Sequence, residues 1–106
     1  MAEKALFHKV YMKNGHNEWC AIVPAQSAKH AKALFETEHV AVTRVNCLYW
    51  CLVGVGFDGS EIVFTAQADG KECFYELGTP GYEFLINYFH VQVSQILRNV
   101  RDYYDS

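Results

Sequence analysis

Two segments near the start of the chain, residues 5–13 and 16–23, are rich in apolar residues. Both segments are rich in β-branched and aromatic residues, which favour strands. Between them lies Asn14-Gly15, which is typical of a two-residue hairpin turn because both residues tolerate positive φ angles. The pattern therefore predicts an antiparallel hairpin centred on this dipeptide.

The spacing becomes helical after Pro24, which ends the second predicted strand. Ser27 is a favourable N-cap residue, and apolar side chains then recur on one helical face. This stripe consists of Ala28, Ala31, Leu34 and Phe35. We expect a short helix whose small alanine side chains let it pack closely on a sheet.

A nearly continuous apolar stretch follows, in residues 40–45 and 47–57. Such a run predicts either one strand that is covered on both faces or two strands joined by a bend near Asn46. Gly54 and Gly56 within it indicate a bulge or a close approach of another backbone.

Two more predicted strands follow, each preceded by an Asp-Gly dipeptide that repeats the hairpin signal. The dipeptides are Asp58-Gly59 and Asp69-Gly70, and the strands cover residues 60–68 and 71–77. Three strands in succession joined by tight turns indicate a meander.

The last third of the chain predicts one long helix, which begins with Thr79 as the cap and Pro80 at the first helical position. Its main apolar stripe should cover the sheet and consists of Tyr82, Leu85, Phe89, Val93, Ile96, Val100 and Tyr104. Together the elements predict a single α+β domain over residues 1–106, with a mostly antiparallel sheet of five or six strands in the order ββαβ(β)ββα.

A second apolar row on this helix, formed by Phe84, Tyr88 and Val91, points roughly away from the main stripe. A helix that covers one side of a sheet is expected to be polar on its outer side. Either the first helix or the N-terminal hairpin folds over this row, or the row contacts a partner, and we expect a homodimer through it.

Composition limits the class of protein. The chain has 106 residues, of which 51% are hydrophobic and 20% charged, so it is long enough for one core. Its net charge of −3 argues against binding to nucleic acid, which usually requires a surplus of Lys and Arg. Residues 1–4 lack the apolar core of a secretion signal, and the longest uncharged stretch, residues 45–57, is too short to span a membrane. We therefore expect a cytoplasmic protein with reduced cysteines.

The sequence gives little evidence for a metal-binding or catalytic site. Cys47 and Cys51 lie in an extended run, where residues four apart are about 13 Å from each other, so we expect no metal site. In the predicted hairpin Cys20 faces Lys9, while His8 points to the other side of the sheet, which disfavours a thiol–imidazole pair. We expect no catalytic residues and no cofactor. A small thiol- or metal-dependent hydrolase and a small-molecule sensor domain remain the alternatives.

Alternation also explains the paired carboxylates of the last predicted strand. Glu72 and Glu76 share one face, and Cys73 and Tyr75 take the other, so the glutamates should form the solvated side of the sheet. Aromatic residues make up 15% of the chain, and tyrosine is a residue type that favours interfaces. These features predict a non-catalytic protein-binding module.

The order of elements resembles that of small phage-encoded inhibitors of the anti-CRISPR type. The resemblance covers roughly residues 5–77: two strands, a short helix opened by Ala25-Gln26-Ser27 and closed near Glu38, a strand over 40–45, and a meander. It implies that the chain blocks a larger protein machine, such as a CRISPR effector, by direct contact. Since a net charge of −3 is too small for wholesale imitation of DNA, aromatic contacts and local acidic groups would carry the binding. Those acidic groups are Glu72, Glu76 and Glu83.

Overall fold

The computed structural model describes residues 2–105, which form five strands and three helices. The strands are β1 (Ala2–Asn14), β2 (Asn17–Pro24), β3 (Ala41–Phe57), β4 (Ile62–Ala68) and β5 (Lys71–Tyr75), and the helices are α1 (Ala28–Phe35), α2 (Tyr82–Tyr88) and α3 (His90–Asp105). All strand pairs are antiparallel, in the order β2-β1-β3-β4-β5. The predicted α+β architecture and element order are confirmed, with five strands.

The long apolar stretch is one strand, β3, interrupted by two irregularities in its pairing with β1. Phe7 pairs with Tyr49 and His8 pairs with Cys47, so Leu48 is an extra residue between them. Thr43 is a second extra residue closer to the start of β3. Each extra residue reverses which side chains point to which face of the sheet. The glycines are not the bulge positions, since Gly54 pairs regularly with Thr65.

The sheet curls until its two edge strands approach each other. The Tyr75 hydroxyl on β5 donates a hydrogen bond to the Ile22 carbonyl oxygen on β2. Lys9 Nζ on β1 lies 2.8 Å from Asp69 Oδ2 in the β4–β5 turn. We call the concave face, which carries Tyr75, the inner face, and the convex face the outer face.

The inner face holds the larger core, which α2 and the start of α3 cover. Its buried members are Ala5, Phe7, Cys51, Val53, Ile62, Phe64, Ala66, Ala68, Tyr75, Tyr82, Leu85, Phe89 and Val93. Phe64 lies at its centre, with ring centroids 5.6 Å from Tyr82 and 6.2 Å from Phe89. The Tyr82 hydroxyl donates to the Ile62 carbonyl oxygen at 2.7 Å, so the first turn of α2 is fixed to β4 by a buried hydrogen bond.

The outer face holds a smaller core under α1. Its buried members are Val10, Met12, Val23, Ala25 and Ala31. As predicted, Ser27 caps the helix, since its Oγ accepts a hydrogen bond from His30 N at 3.1 Å. The apolar stretch of β3 is therefore buried on the inner face at one end and on the outer face at the other, with the bulge at Leu48 between them.

Two of the three predicted turns differ from the prediction. In the first hairpin Gly15 and His16 occupy the turn between paired Asn14 and Asn17, so Cys20 faces Tyr11 rather than Lys9. This shift in the hairpin register leaves His8 and Cys20 on opposite faces of the sheet. The second connection is a four-residue loop from Asp58 to Glu61. Only Asp69-Gly70 is the predicted two-residue turn, with positive φ at both positions.

The predicted terminal helix is two helices, and it begins later than expected. The Thr79 hydroxyl donates to the Glu76 carbonyl oxygen at 2.7 Å, so Thr79 closes the preceding turn, and Gly81 with φ 87° takes the N-cap position. At Phe89 the backbone leaves the helical conformation (φ −106°, ψ 31°), although Phe89 N and Val93 N still donate to carbonyls one turn earlier. The result is a kink between α2 and α3.

Candidate protein-contact surface

Four apolar side chains lie together on the part of the outer face that α1 leaves uncovered. Leu6 on β1 pairs directly with Trp50 on β3, and Leu52 is the next residue of β3 on the same face. Phe74 on β5 lies in line with Gly54, two strands or about 10 Å across the sheet from it, and is therefore diagonal to Leu52. We call Leu6, Trp50, Leu52 and Phe74 the outer sheet patch.

Three members of the patch are open to solvent, and Leu6 is partly buried. Their side chains are exposed by 56% for Trp50, 47% for Leu52 and 66% for Phe74. Two residues of β4 lie between Leu52 and Phe74 on this face, since Gln67 pairs with Leu52 and Thr65 pairs with Phe74. Large apolar side chains grouped on a sheet face in this way are typical of a contact surface.

The bulge in β3 borders the patch and is strained. Tyr49 has φ 61°, a conformation that a bulky residue rarely adopts, and its side chain is 70% exposed. The Cys47 thiol sulfur accepts a hydrogen bond from Tyr49 N at 3.4 Å, which supports this conformation. Strained backbone often occurs at functional positions, and here it presents a tyrosine next to Trp50 in the chain.

Carboxylates lie beside Phe74. Glu72 and Glu76 flank it at alternate positions and are exposed, as the sequence predicts, and Cys73 and Tyr75 point to the inner face. Glu72 Oε2 accepts a hydrogen bond from Gln67 Nε2 at 3.1 Å across the β4–β5 pair. The patch therefore has acidic residues on the β5 side, and Lys4, which pairs with Leu52, adds one positive charge on the β1 side.

The predicted second row of the terminal helix is divided by the kink. The Phe84 ring is partly buried, with centroids 6.0 Å from His30 of α1 and 5.4 Å from Tyr88. Tyr88 is about half exposed and ends α2, whereas Val91 belongs to α3 and is exposed. Helix α1 thus covers the start of this row, and its three residues do not form one straight stripe.

The third predicted acidic residue, Glu83, lies in the first turn of α2, away from Glu72 and Glu76 along the chain. Its charge acts on the Tyr82 hydroxyl together with the charges of Asp58 and Glu61. Burial, and then these three carboxylates, raise the pKa of Tyr82 above its ordinary value. Glu83 lines a groove beside α1 together with His30 and Leu34, and it does not belong to the border of the outer sheet patch.

The four thiols lie on three different strands, β2, β3 and β5. Residues 2–105 contain no group of three or more His, Cys, Asp or Glu side chains placed to hold a metal ion. Cys51 is buried on the inner face, and burial raises the pKa of its thiol, which opposes thiolate formation. Cys20 and Cys47 are exposed.

His8 is buried under α1 at 2% exposure, and neither ring nitrogen makes a hydrogen bond of normal geometry to the described residues. Burial, above all, lowers the pKa of His8, the Ala25 backbone partly offsets this effect, and the charge of His30 lowers the pKa further. The imidazole is therefore neutral at physiological pH. It belongs to the packing of α1 on the sheet.

Sequence reasoning missed the outer sheet patch because it treated the apolar stretch of β3 as uniformly buried. The signal was present in β5, where strict alternation places Phe74 on the same face as Glu72 and Glu76. For Trp50 and Leu52 the signal was hidden, since the bulge at Leu48 decides which face they occupy.

No helix within residues 2–105 combines the length and apolar character needed to cross a membrane. Comparison of the chain with protein-family models, with curated proteins and with solved structures finds no match.

Proposed function

We propose that this chain is a non-catalytic protein-binding module that contacts a larger protein through the outer sheet patch. The observation that carries the proposal is the exposure of Trp50, Leu52 and Phe74 on one uncovered face of the sheet. Aromatic side chains at the centre of an interface are frequent hot spots of binding energy.

The chemistry of the border indicates what the partner offers. Glu72 and Glu76 next to Phe74 favour a partner that surrounds an apolar pocket with Lys or Arg side chains. Charges at the border mainly increase the association rate and the specificity, and the central rings supply most of the affinity.

In its more specific form, the proposal is that the module is a cytoplasmic, phage-type inhibitor, which blocks a machine such as a CRISPR effector by occupying a basic surface. Proteins that bind nucleic acid carry such basic surfaces, and the acidic border of the patch would complement one. The four free thiols are compatible with a reducing compartment.

The test begins with a photoreactive phenylalanine analogue at position 74 in cells that carry the protein, and with the same analogue at position 19 as the control. Trp19 is also an exposed aromatic residue on a strand, but it lies near the far end of the first hairpin. The cross-linked protein is then purified, and its affinity for the native chain, Trp50→Ser and Trp19→Ser is measured.

We expect Trp50→Ser to weaken binding at least tenfold and Trp19→Ser to leave it unchanged. Equal cross-linking at positions 74 and 19, or full affinity of Trp50→Ser, would refute the assignment of the surface. The inhibitor part is tested separately, because an excess of the module should displace nucleic acid from the purified partner. Binding without displacement would leave a binding module that is not an inhibitor.

Self-association through Phe84, Tyr88 and Val91 stays a prediction. It is tested by the solution mass of the native chain and of Tyr88→Glu with Val91→Glu across a dilution series. A native dimer that becomes a folded monomer in the double variant would support it. A native monomer at all concentrations would remove it.

A further inference from the structure

A cleft of about 550 Å³ lies between the β3–β4 loop and the last turns of α3, on a different part of the molecule from the outer sheet patch. Phe57, Ile96 and Val100 are its partly buried apolar residues, and Tyr104 contributes an exposed ring. Asp58 and Asn99 also line the cleft. We call this site the α3 cleft.

The carboxylate of the α3 cleft is held in place by its own loop. Asp58 Oδ1 accepts hydrogen bonds from Ser60 N and Glu61 N, both at 2.9 Å, and from the Ser60 hydroxyl at 3.1 Å. These bonds lower the pKa of Asp58, so the group is ionised at neutral pH. The charge is therefore fixed in position and does not depend on a flexible side chain.

Aromatic rings beside the carboxylate add a second attraction for cations. Tyr103 and Tyr104 line the cleft with ring centroids 5.2 Å apart and nearly perpendicular planes, and Phe57 lies on the strand side. The face of an aromatic ring carries partial negative charge and attracts a cation placed over it. Elsewhere in this molecule the Arg44 guanidinium lies 4.2 Å from the centroid of the Tyr11 ring, which is the same kind of contact.

We infer that the α3 cleft binds an arginine side chain of a protein partner. Its apolar residues suit the three methylene groups of arginine, and the planar guanidinium can stack on a tyrosine ring while it donates to the Asp58 carboxylate. Glu61 belongs to the same loop as Asp58, so its carboxylate adds negative charge to that loop and opposes an anionic ligand.

Arginine is favoured over lysine by the arrangement of the groups. An ammonium is a compact, strongly hydrated point charge, whereas a guanidinium is weakly hydrated and flat, so it loses less on leaving water for a ring face. The inference does not depend on the outer sheet patch, since the α3 cleft shares none of its residues.

The test uses three small probes: N-acetyl-arginine methylamide, the lysine analogue, and the citrulline analogue, in which a neutral urea replaces the guanidinium. Binding is followed through the backbone amide NMR signals of Gly59 and Asn99, which line the cleft, and of Gly15, which lies at the distant hairpin turn. We expect saturable shifts at Gly59 and Asn99 with the arginine probe, at least threefold weaker binding of the citrulline and lysine probes, and no shift at Gly15.

Two variants test the carboxylate charge and the aromatic ring of the α3 cleft separately. Asp58→Asn retains an oxygen that can accept the loop hydrogen bonds but removes the charge, and Tyr104→Leu removes one ring at an exposed helical position. Each should weaken the arginine probe at least threefold while the other amide signals stay at their native positions. Equal binding of arginine and citrulline, equal binding of arginine and lysine, or unchanged binding by Asp58→Asn would overturn the inference, as would the absence of shifts in the native chain.

Discussion

The two ends of the outer sheet face both carry apolar side chains, but a helix covers only one of them. At one end Val10, Met12 and Val23 are buried under α1. At the other end Leu6, Trp50 and Leu52 lie on the same face without a helix above them. Both ends are apolar, so hydrophobicity alone does not distinguish core from contact surface.

The comparison shows that the position of α1 decides which apolar residues become core. α1 is eight residues long and so extends only about 12 Å, whereas β1 is thirteen residues long and extends about 43 Å. One short helix therefore cannot cover the whole outer face. The uncovered apolar surface either lowers the solubility of the protein or serves as a contact surface, and we propose that it is a contact surface.

The largest expected effect tests the covered end. Met12→Ala removes a buried side chain and should lower the free energy of unfolding by about 2–5 kcal/mol. Leu52→Ala on the same face should cost less than about 1 kcal/mol, since nearly half of this side chain is already in water. The measurement is equilibrium unfolding in urea for both variants. Similar losses for the two would mean that the uncovered end is packed in solution.

Two neighbouring residues of β5, Phe74 and Tyr75, also differ in their surroundings. Phe74 is exposed on the outer face, whereas the Tyr75 hydroxyl bonds to the Ile22 carbonyl oxygen and joins the two sheet edges. Tyr75→Phe leaves that carbonyl without this partner and should cost about 1–3 kcal/mol. Hydrogen exchange that Tyr75→Phe accelerates, relative to the native chain, more in β2 than in β4 would confirm that the curl has loosened at its edge. An unchanged unfolding curve would contradict the role of this bond.

Much of this fold follows from local chemistry that the sequence displays. Ser27 caps α1 as expected, and Asp69-Gly70 forms the expected turn, because each result depends on a few neighbouring residues. The kink at Phe89 was not predictable in this way. Phe89 lies within a continuous helical stripe, and the Phe64 ring against which it packs belongs to a distant strand, β4.

The candidate site was less predictable than the fold. Exposure of Trp50 depends on the bulge at Leu48 and on the short reach of α1, and both are properties of the assembled sheet. The α3 cleft combines Asp58 with Tyr104, which are brought together only when the terminal helix lies beside the β3–β4 loop. Side chains so far apart along the chain give no common sequence signal.

Lowering the pH should lower the free energy of unfolding through His8, which is buried at the end of the outer face that α1 covers. The folded-state pKa of His8 lies below its ordinary value of 6.5, so the unfolded chain takes up this proton first as the pH falls. The contribution is complete well above pH 6.5 and is lost progressively as the pH falls through this value, by up to about 0.8 kcal/mol between pH 7.5 and 6.0. The measurement is the difference in unfolding free energy between the native chain and His8→Leu across this range. A difference that does not change with pH would show that the pKa of His8 is the same in the folded and unfolded chain, and so would contradict the prediction.

The smallest expected effect tests the uncovered end directly. Phe74→Thr keeps a residue that favours strands and removes a ring that is 66% exposed, so the free energy of unfolding should change by no more than about 0.5 kcal/mol. At the same time, removing an exposed ring should raise the concentration at which the protein begins to aggregate. A loss above about 2 kcal/mol would mean that the ring is buried in solution by another copy of the chain, because nothing within residues 2–105 covers it enough to explain such a loss.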